Sequence, residues 1–336
     1  MYYYLRLRSI CFSPALALCT FLVASVHAEI PTPPGIVTGE FDIPVLEGEP
    51  WNLVSTPDVG EYNTDKQEPV DFAVWQAADG TWQLWSCVRH TKIGGKNRLL
   101  YGWEGASIEQ ANWKPVGITM KAEEKLGETL GGLQAPYVVK HDGKYHMLYG
   151  DFNRICRAES ADGKNFTKVI QPDGKTGMYA DGEFTRDPMA LKIDDLWYVY
   201  TTSDPYEQCA IRCRTSPDLQ NWSRYSITVA SGGQATASKR AAECPQVVKH
   251  NGLYYLFRTQ NYRGTPHTQV YVSSDPLHFG NNRDEWYYAT TLFLAAPEYV
   301  QHDGKEYLAY LNPTLDGIRA QKLSWVPKSQ SDEKKP

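Results

Sequence analysis

One layout recurs along this chain at intervals of about fifty-five residues, and it leaves few folds open. The segments QAPYVVKHDGKYHMLY (134–149), RDPMALKIDDLWYVYT (186–201), ECPQVVKHNGLYYLFR (243–258) and AAPEYVQHDGKEYLAY (295–310) share it. A proline opens each, then come a β-rich run, a two-residue turn and an aromatic strand. The proline and the second turn residue stand seven positions apart in all four: Pro136 to Gly143, Pro188 to Asp195, Pro245 to Gly252, Pro297 to Gly304. An earlier copy, VDFAVWQAADGTWQLW (70–85), has Phe72 in place of the proline and one more residue before Gly80. Asp-Gly and Asn-Gly between apolar runs are strong hairpin signals, because such turns need positive φ.

Each copy has a second half, seen in EGASIEQANW (104–113), RAESADGKNF (157–166), RCRTSPDLQNW (212–222), VYVSSDPLHF (270–279) and IRAQKLSW (318–325). A short strand leads to a turn and then to Trp113, Phe166, Trp222, Phe279 or Trp325, which would plug between neighbouring units. Five copies of two hairpins predict an all-β, five-bladed β-propeller of four-stranded antiparallel blades over residues 51–327. With 12% aromatic residues, 26 Gly and 21 Pro, the composition suits a turn-rich β protein. A formal net charge of -5, with no basic block before the tail, argues against a nucleic-acid partner.

The first 28 residues combine Arg6 and Arg8, an apolar run and the small-residue site Val26-His27-Ala28, the pattern of a secretory signal peptide. The mature chain is therefore expected to be secreted or periplasmic, with no membrane span. Residues 29–50, Pro-rich, are expected to wrap the outside, and 328–336 to form a solvated tail. Five cysteines follow the signal: Cys87, Cys156, Cys209, Cys213 and Cys244. The Cys209–Cys213 spacing lacks a second ligand pair, so no zinc site is read, and the five are expected to be small buried residues rather than a disulfide framework.

In a propeller the inner strands begin at one rim around the axis, and residues just before each repeat's proline converge there. Those positions offer Asp71, Gln134-Ala135, Asp187, Glu243 and Ala295-Ala296. Three carboxylates from separate blades would share one funnel and raise one another's pKa, a cost usually tolerated for function. A cation on the axis, such as a structural Ca2+, is the other use for such oxygens. No cofactor is otherwise implied.

At these residues the sequence resembles the five-bladed propeller glycosidases of families 32, 43 and 68. Arg186-Asp187-Pro188 resembles the RDP motif and Glu243-Cys244-Pro245 the EC(P) motif of family 32, while family 43 places its modulating Asp and acid Glu at similar points. The resemblance implies that Glu243 is the general acid, that Asp187 orients substrate hydroxyls, and that Asp71 is the nucleophile or the water-activating base. The first blade carries EPVDFAVWQAADG where family 32 has WMNDPNG, which points to a family 43-like or divergent member.

Substrate contacts are expected from Arg186, from Gln134 and from the loops between second and third strands. Those loops offer Arg89 and His90; Asp151, Asn153 and Arg154; Asp204 and Tyr206; and Arg258, Gln260, Asn261, Tyr262, Arg263 and His267. The reading is an exported glycoside hydrolase acting on a plant- or alga-type oligosaccharide or polysaccharide with furanose or pentose units. A non-catalytic carbohydrate-binding propeller and a glycoside phosphorylase on the same fold are the alternatives.

Overall fold

The computed structural model describes residues 32–204, 209–231, 241–281 and 284–329. The expected signal peptide and most of the expected tail lie outside them. Strand β1 (Asp42–Ser55) comes first. Blade one contains β2 (Glu68–Gln76), β3 (Trp82–Arg89), β4 (Leu99–Gly105) and β5 (Lys114–Met120). In blade two, β6 (Gln134–His141), β7 (Lys144–Gly150) and β8 (Ile155–Ser160) are followed by the short β9 (Thr167–Lys168) and β10 (Gly177–Tyr179), both on the edge of β8. Blade three is β11 (Glu183–Ile193), β12 (Leu196–Asp204), β13 (Ala210–Ser216) and β14 (Ile227–Ala230). Blade four is β15 (Glu243–His250), β16 (Leu253–Asn261), β17 (His267–Ser273) and β18 (Tyr288–Leu292). The last blade runs β19 (Glu298–His302), β20 (Lys305–Leu311), β21 (Gly317–Pro327), and takes β1 as its outermost strand.

The fold is thus an all-β five-bladed propeller. Its inner strands touch in the order β2, β6, β11, β15, β19, and β19 meets β2 again. Closure joins the two ends of the chain, since β1 pairs with β21 from Asp42↔Pro327 to Ser55↔Gly317. This strand begins within the segment expected to wrap the outside and continues past residue 50, so the blade region starts earlier than the expected boundary. A strand left at the rim of the last blade would otherwise present an open ladder edge.

The repeat is visible in the dihedral angles. Asp142-Gly143, Asn251-Gly252 and Asp303-Gly304 all have positive φ and close two-residue hairpins between paired neighbours. The aromatic plugs sit between blades. Trp113 donates its backbone N–H to Leu53 O of β1 (2.7 Å). Phe166 packs edge-on against Trp75 and Trp85 of blade one, and Trp222 packs tilted against Tyr179 of blade two. Phe279 is fully buried against blade three, with its N–H on Val229 O, and Trp325 stacks on His250 of blade four at 4.1 Å. Each blade therefore plugs into the one before it. Cys87, Cys156, Cys209 and Cys213 are buried, Cys244 is half-buried, and all five are free thiols.

Candidate active site

The inner strands share a kink that the sequence does not announce. The residue before each proline, or before Phe72, lies in the left-handed region: Asp71 (φ 44°), Ala135 (46°), Asp187 (52°), Cys244 (48°) and Ala296 (49°). The strand register slips there in four blades, between Val70 and Phe72, Gln134 and Tyr137, Arg186 and Met189, and Glu243 and Gln246. In the fifth, β19 begins just after the kink. Those four slips are β-bulges, which re-aim the side chains they carry. The N–H at the kink leaves the ladder and is taken by the preceding blade: Cys244 N donates to Asp187 Oδ2 (3.1 Å) and Ala296 N to Thr259 Oγ1 (2.9 Å). Non-glycine positive φ costs about 1–3 kcal/mol per residue, and this protein accepts it five times around its axis.

The kinks divide the funnel floor into two tiers. The kinked residues of all five blades, their successors in the first four, and Glu298 of the fifth surround an axial void of about 20 Å³. One residue earlier, Gln134, Arg186 and Glu243 still pair in the sheet and line a cavity of about 760 Å³ above it. The structural equivalent of Asp71 and Asp187 in blade four is therefore Cys244, and Glu243 belongs with Arg186 and Gln134. Asp71 and Asp187 touch both spaces.

Arg186 ties these groups together. Its Nη2 meets Glu243 Oε1 at 2.7 Å, Nη1 lies 3.4 Å from Asp204 Oδ2, and Nε lies 3.8 Å from Asp187 Oδ2. Burial works against its charge, but Asp187, Glu243 and Asp204 hold its pKa far above the ordinary value. Burial pushes the Glu243 carboxyl up to about 7, with Arg186 opposing and Asp187 reinforcing the shift. Asp71 is also raised, first by burial and then by Asp187, against the pull of Arg89, Arg98 and Arg186. Two carboxyls in one cleft, one titrating near neutrality, can divide proton donation from attack on a sugar carbon. The Cys244 thiol lies 3.7 Å from Asp71 Oδ1 and 2.9 Å from the Tyr262 hydroxyl, and burial keeps it protonated. Among the described residues no three His, Cys, Asp or Glu side chains form a metal-ligand set.

Solved structures with this fold include a β-xylosidase, RS223 (TM-score 0.57, 15% identity, covering 82% of this chain and 94% of that one). An α-L-arabinofuranosidase from Clostridium thermocellum gives TM-score 0.54 at 16% identity, covering 74% and 83%. A β-fructofuranosidase of family 32 from Bombyx mori gives 0.54 at 20% identity, covering 82% of this chain but 61% of its own. The comparison with curated proteins gives no match. Residues 181–335 match the family described as glycosyl hydrolases family 43. The five-bladed propeller fold is shared with these structures, and the C-terminal part of the chain carries the family 43 match. The matched span holds Arg186, Asp187 and Glu243, whereas Asp71 lies outside it.

The cleft brings Asp71, Asp187 and Glu243 together with Arg186, Arg89, His90, Gln134 and Asn261. Asp204, Gln260, Tyr262 and Arg263 line it too. Arg89 Nε pairs with Glu68 Oε2 (2.7 Å), and Arg263 pairs with the same carboxylate. His90 is half exposed, and burial and Arg89 lower its pKa, so it is neutral at pH 7. The Asn261 amide donates to Arg263 O (2.7 Å) and Thr265 O (3.1 Å), shaping its own loop.

Five expected contacts lie elsewhere. Asp151 is fully buried and caps its own turn, accepting from the N–H groups of Asn153 (3.0 Å) and Arg154 (2.7 Å) and from Arg154 Nη2 (3.0 Å). Arg258 is fully buried inside blade four, 2.9 Å from Asp284 Oδ2 and over the Tyr271 ring at 4.4 Å. A buried guanidinium needs a counter-charge, and Asp284 supplies it away from the cleft. His267 opens β17 beside Thr265 O and is not among the cleft residues. Asn153 and Arg154 likewise stay with the Asp151 turn, and Tyr206 lies outside the described residues.

The cleft also holds Lys96, Asn97, Arg98, Phe152 and Phe184, which the sequence reading passes over. Phe152 (φ 81°) and Phe184 (φ 51°) have left-handed backbones and meet edge-to-face at 5.6 Å. Bulky residues rarely adopt such φ, and here it turns two rings into the cavity. No residue pattern in GDFNR or GEFTR forecasts that, although both stretches flank residues already singled out.

Proposed function

We propose that this protein is a glycosidase, an exported hydrolase of plant- or alga-type oligosaccharides or polysaccharides containing pentose or furanose units. The observation that carries it is the convergence of Glu243, Asp71 and Asp187 in one cleft, where burial pushes the Glu243 carboxyl up to about 7. Glu243 gives its proton to the glycosidic oxygen as the bond to the anomeric carbon breaks. Asp71, ionised, either attacks that carbon or takes the proton of the water that does. Asp187, fixed by the Cys244 N–H and the Arg186 guanidinium, holds the sugar hydroxyls. The xylosidase and arabinofuranosidase among the similar structures favour pentose units, and the first 28 residues favour export.

The test is turnover of chromogenic arabinofuranosides, xylosides and fructosides, with and without phosphate. Glu243→Gln should lower kcat by about 10²–10⁴ while substrate still binds. Activity should peak below pH 7, falling on the alkaline side as Glu243 loses its proton and on the acid side as Asp71 gains one. Unchanged turnover in Glu243→Gln would remove it as the acid.

A further inference from the structure

The cleft has an acidic floor and a basic shoulder. On the floor, Arg186 is enclosed by three carboxylates. On the shoulder, Arg89 and Arg263 share one carboxylate, Glu68. Beside them Lys96 and Arg98 have no carboxylate within ion-pair distance among the described residues. Lys96 Nζ lies 4.5 Å and the Arg98 guanidinium 5.0 Å from the centre of the Phe152 ring, and Arg98 Nη1 donates to Gln134 Oε1 (2.5 Å).

This is a built arrangement rather than two chance surface cations. The loop that carries them is fastened to residues 130–131 by backbone bonds, Lys96 N to Leu130 O and Arg98 N to Gly131 O, both 2.9 Å. The contact is so close that side chains are excluded from it. A Cβ on Gly95 would sit 2.0 Å from Leu130 O, and one on Gly131 would sit 2.2 Å from Gly94 O. Two cations are thereby held above an aromatic face, on a loop that cannot easily retreat.

Neutral sugar hydroxyls need carboxylates, amides and aromatic faces, and the floor and Phe152 already offer these. A Lys–Arg pair with no carboxylate in ion-pair contact is suited to a ligand that brings negative charge, and guanidinium geometry matches planar and tetrahedral oxyanions. Resting on the glycosidase reading of this cleft, we propose that its substrate is an acidic glycan, whose carboxylate or sulfate ester is received by Lys96 and Arg98.

The experiment measures binding calorimetrically to full-length Glu243→Gln, so that affinity is read without turnover. The probes are size-matched pairs: galacturonotriose against galactotriose, glucuronic-acid-substituted xylotetraose against xylotetraose, and monosulfated galactotriose against galactotriose. The acidic member of at least one pair should bind about tenfold or more tightly than its neutral partner. The uronate and sulfate arms tell the two oxyanions apart. The advantage should shrink several-fold in about 0.5 M NaCl and in the double variant Lys96→Gln/Arg98→Gln, and Lys96→Arg should keep it. Neutral members binding as well in every pair, no acidic member binding at all, or an advantage that survives the double variant would each overturn the inference. So would a strict requirement for inorganic phosphate in wild-type turnover, which assigns the cations to a co-substrate. Wild-type protein that prefers acidic glycans yet cleaves none refutes the hydrolase reading and leaves this inference standing. Cleavage of neutral pentosides with no acidic preference does the reverse.

Discussion

Arg186, 12% exposed among Asp187, Asp204 and Glu243, is where stability and chemistry meet. Its charge favours the ionised form of Glu243, so Arg186→Met should raise the Glu243 pKa above about 7 and move the alkaline limb of the pH–rate profile upward. The same change leaves buried carboxylates without their counter-charge and should cost about 3–5 kcal/mol, read as a lower denaturation midpoint. An unshifted limb would detach Arg186 from the proton donor. At this scale the sequence was partly readable. Asp71, Asp187 and Glu243 stood out because each precedes an inner-strand run at one-blade spacing. Their relative frame did not, because proline alignment matches Cys244, not Glu243, to Asp187, and only the bulge shows that the two tiers differ. Asp151 and Arg258 looked like rim residues because their loop and strand end near the cleft. Their inward turn depends on partners, the Asn153 and Arg154 amides and Asp284, that loop composition does not reveal.

Between elements, the recurring unit is the aromatic plug seated by the turn before it. Asp162 accepts from Lys164 N (2.8 Å) and Asn165 N (2.9 Å), Asp218 from Gln220 N (2.9 Å) and Asn221 N (2.7 Å), and Asp275 from Leu277 N (2.8 Å). These turns fix where Phe166, Trp222 and Phe279 enter the neighbouring blade. Phe279→Ala should cost about 3–5 kcal/mol, measured by urea denaturation, because the ring is fully buried between blades three and four. A loss below about 1 kcal/mol would mean the blades close over the gap. The hairpins and plugs were legible because turn chemistry and aromatic spacing are local signals. The pairing of β1 with β21 was not, because it joins residues from opposite ends of the chain and no local pattern encodes that partnership.

For the molecule as a whole, that pairing is the clasp. Tyr307 of blade five donates to Glu109 Oε1 of blade one (2.5 Å), and Trp82 meets His302 across the same seam at 5.1 Å. A chain starting after Ser55 would lose the outer strand of blade five and bare the β21 edge. It should lose its single cooperative unfolding transition and self-associate, as checked by denaturant titration and light scattering. A retained sharp transition would show that the ring holds without its clasp. The five kinks carry a different consequence. Two of them, at Ala135 and Ala296, hold the same strained backbone with no reactive group on it. The frame thus keeps five mounting posts of one shape and arms only some of them. New chemistry at this axis needs a change of one side chain on a standing post, with no loop rebuilt to hold it.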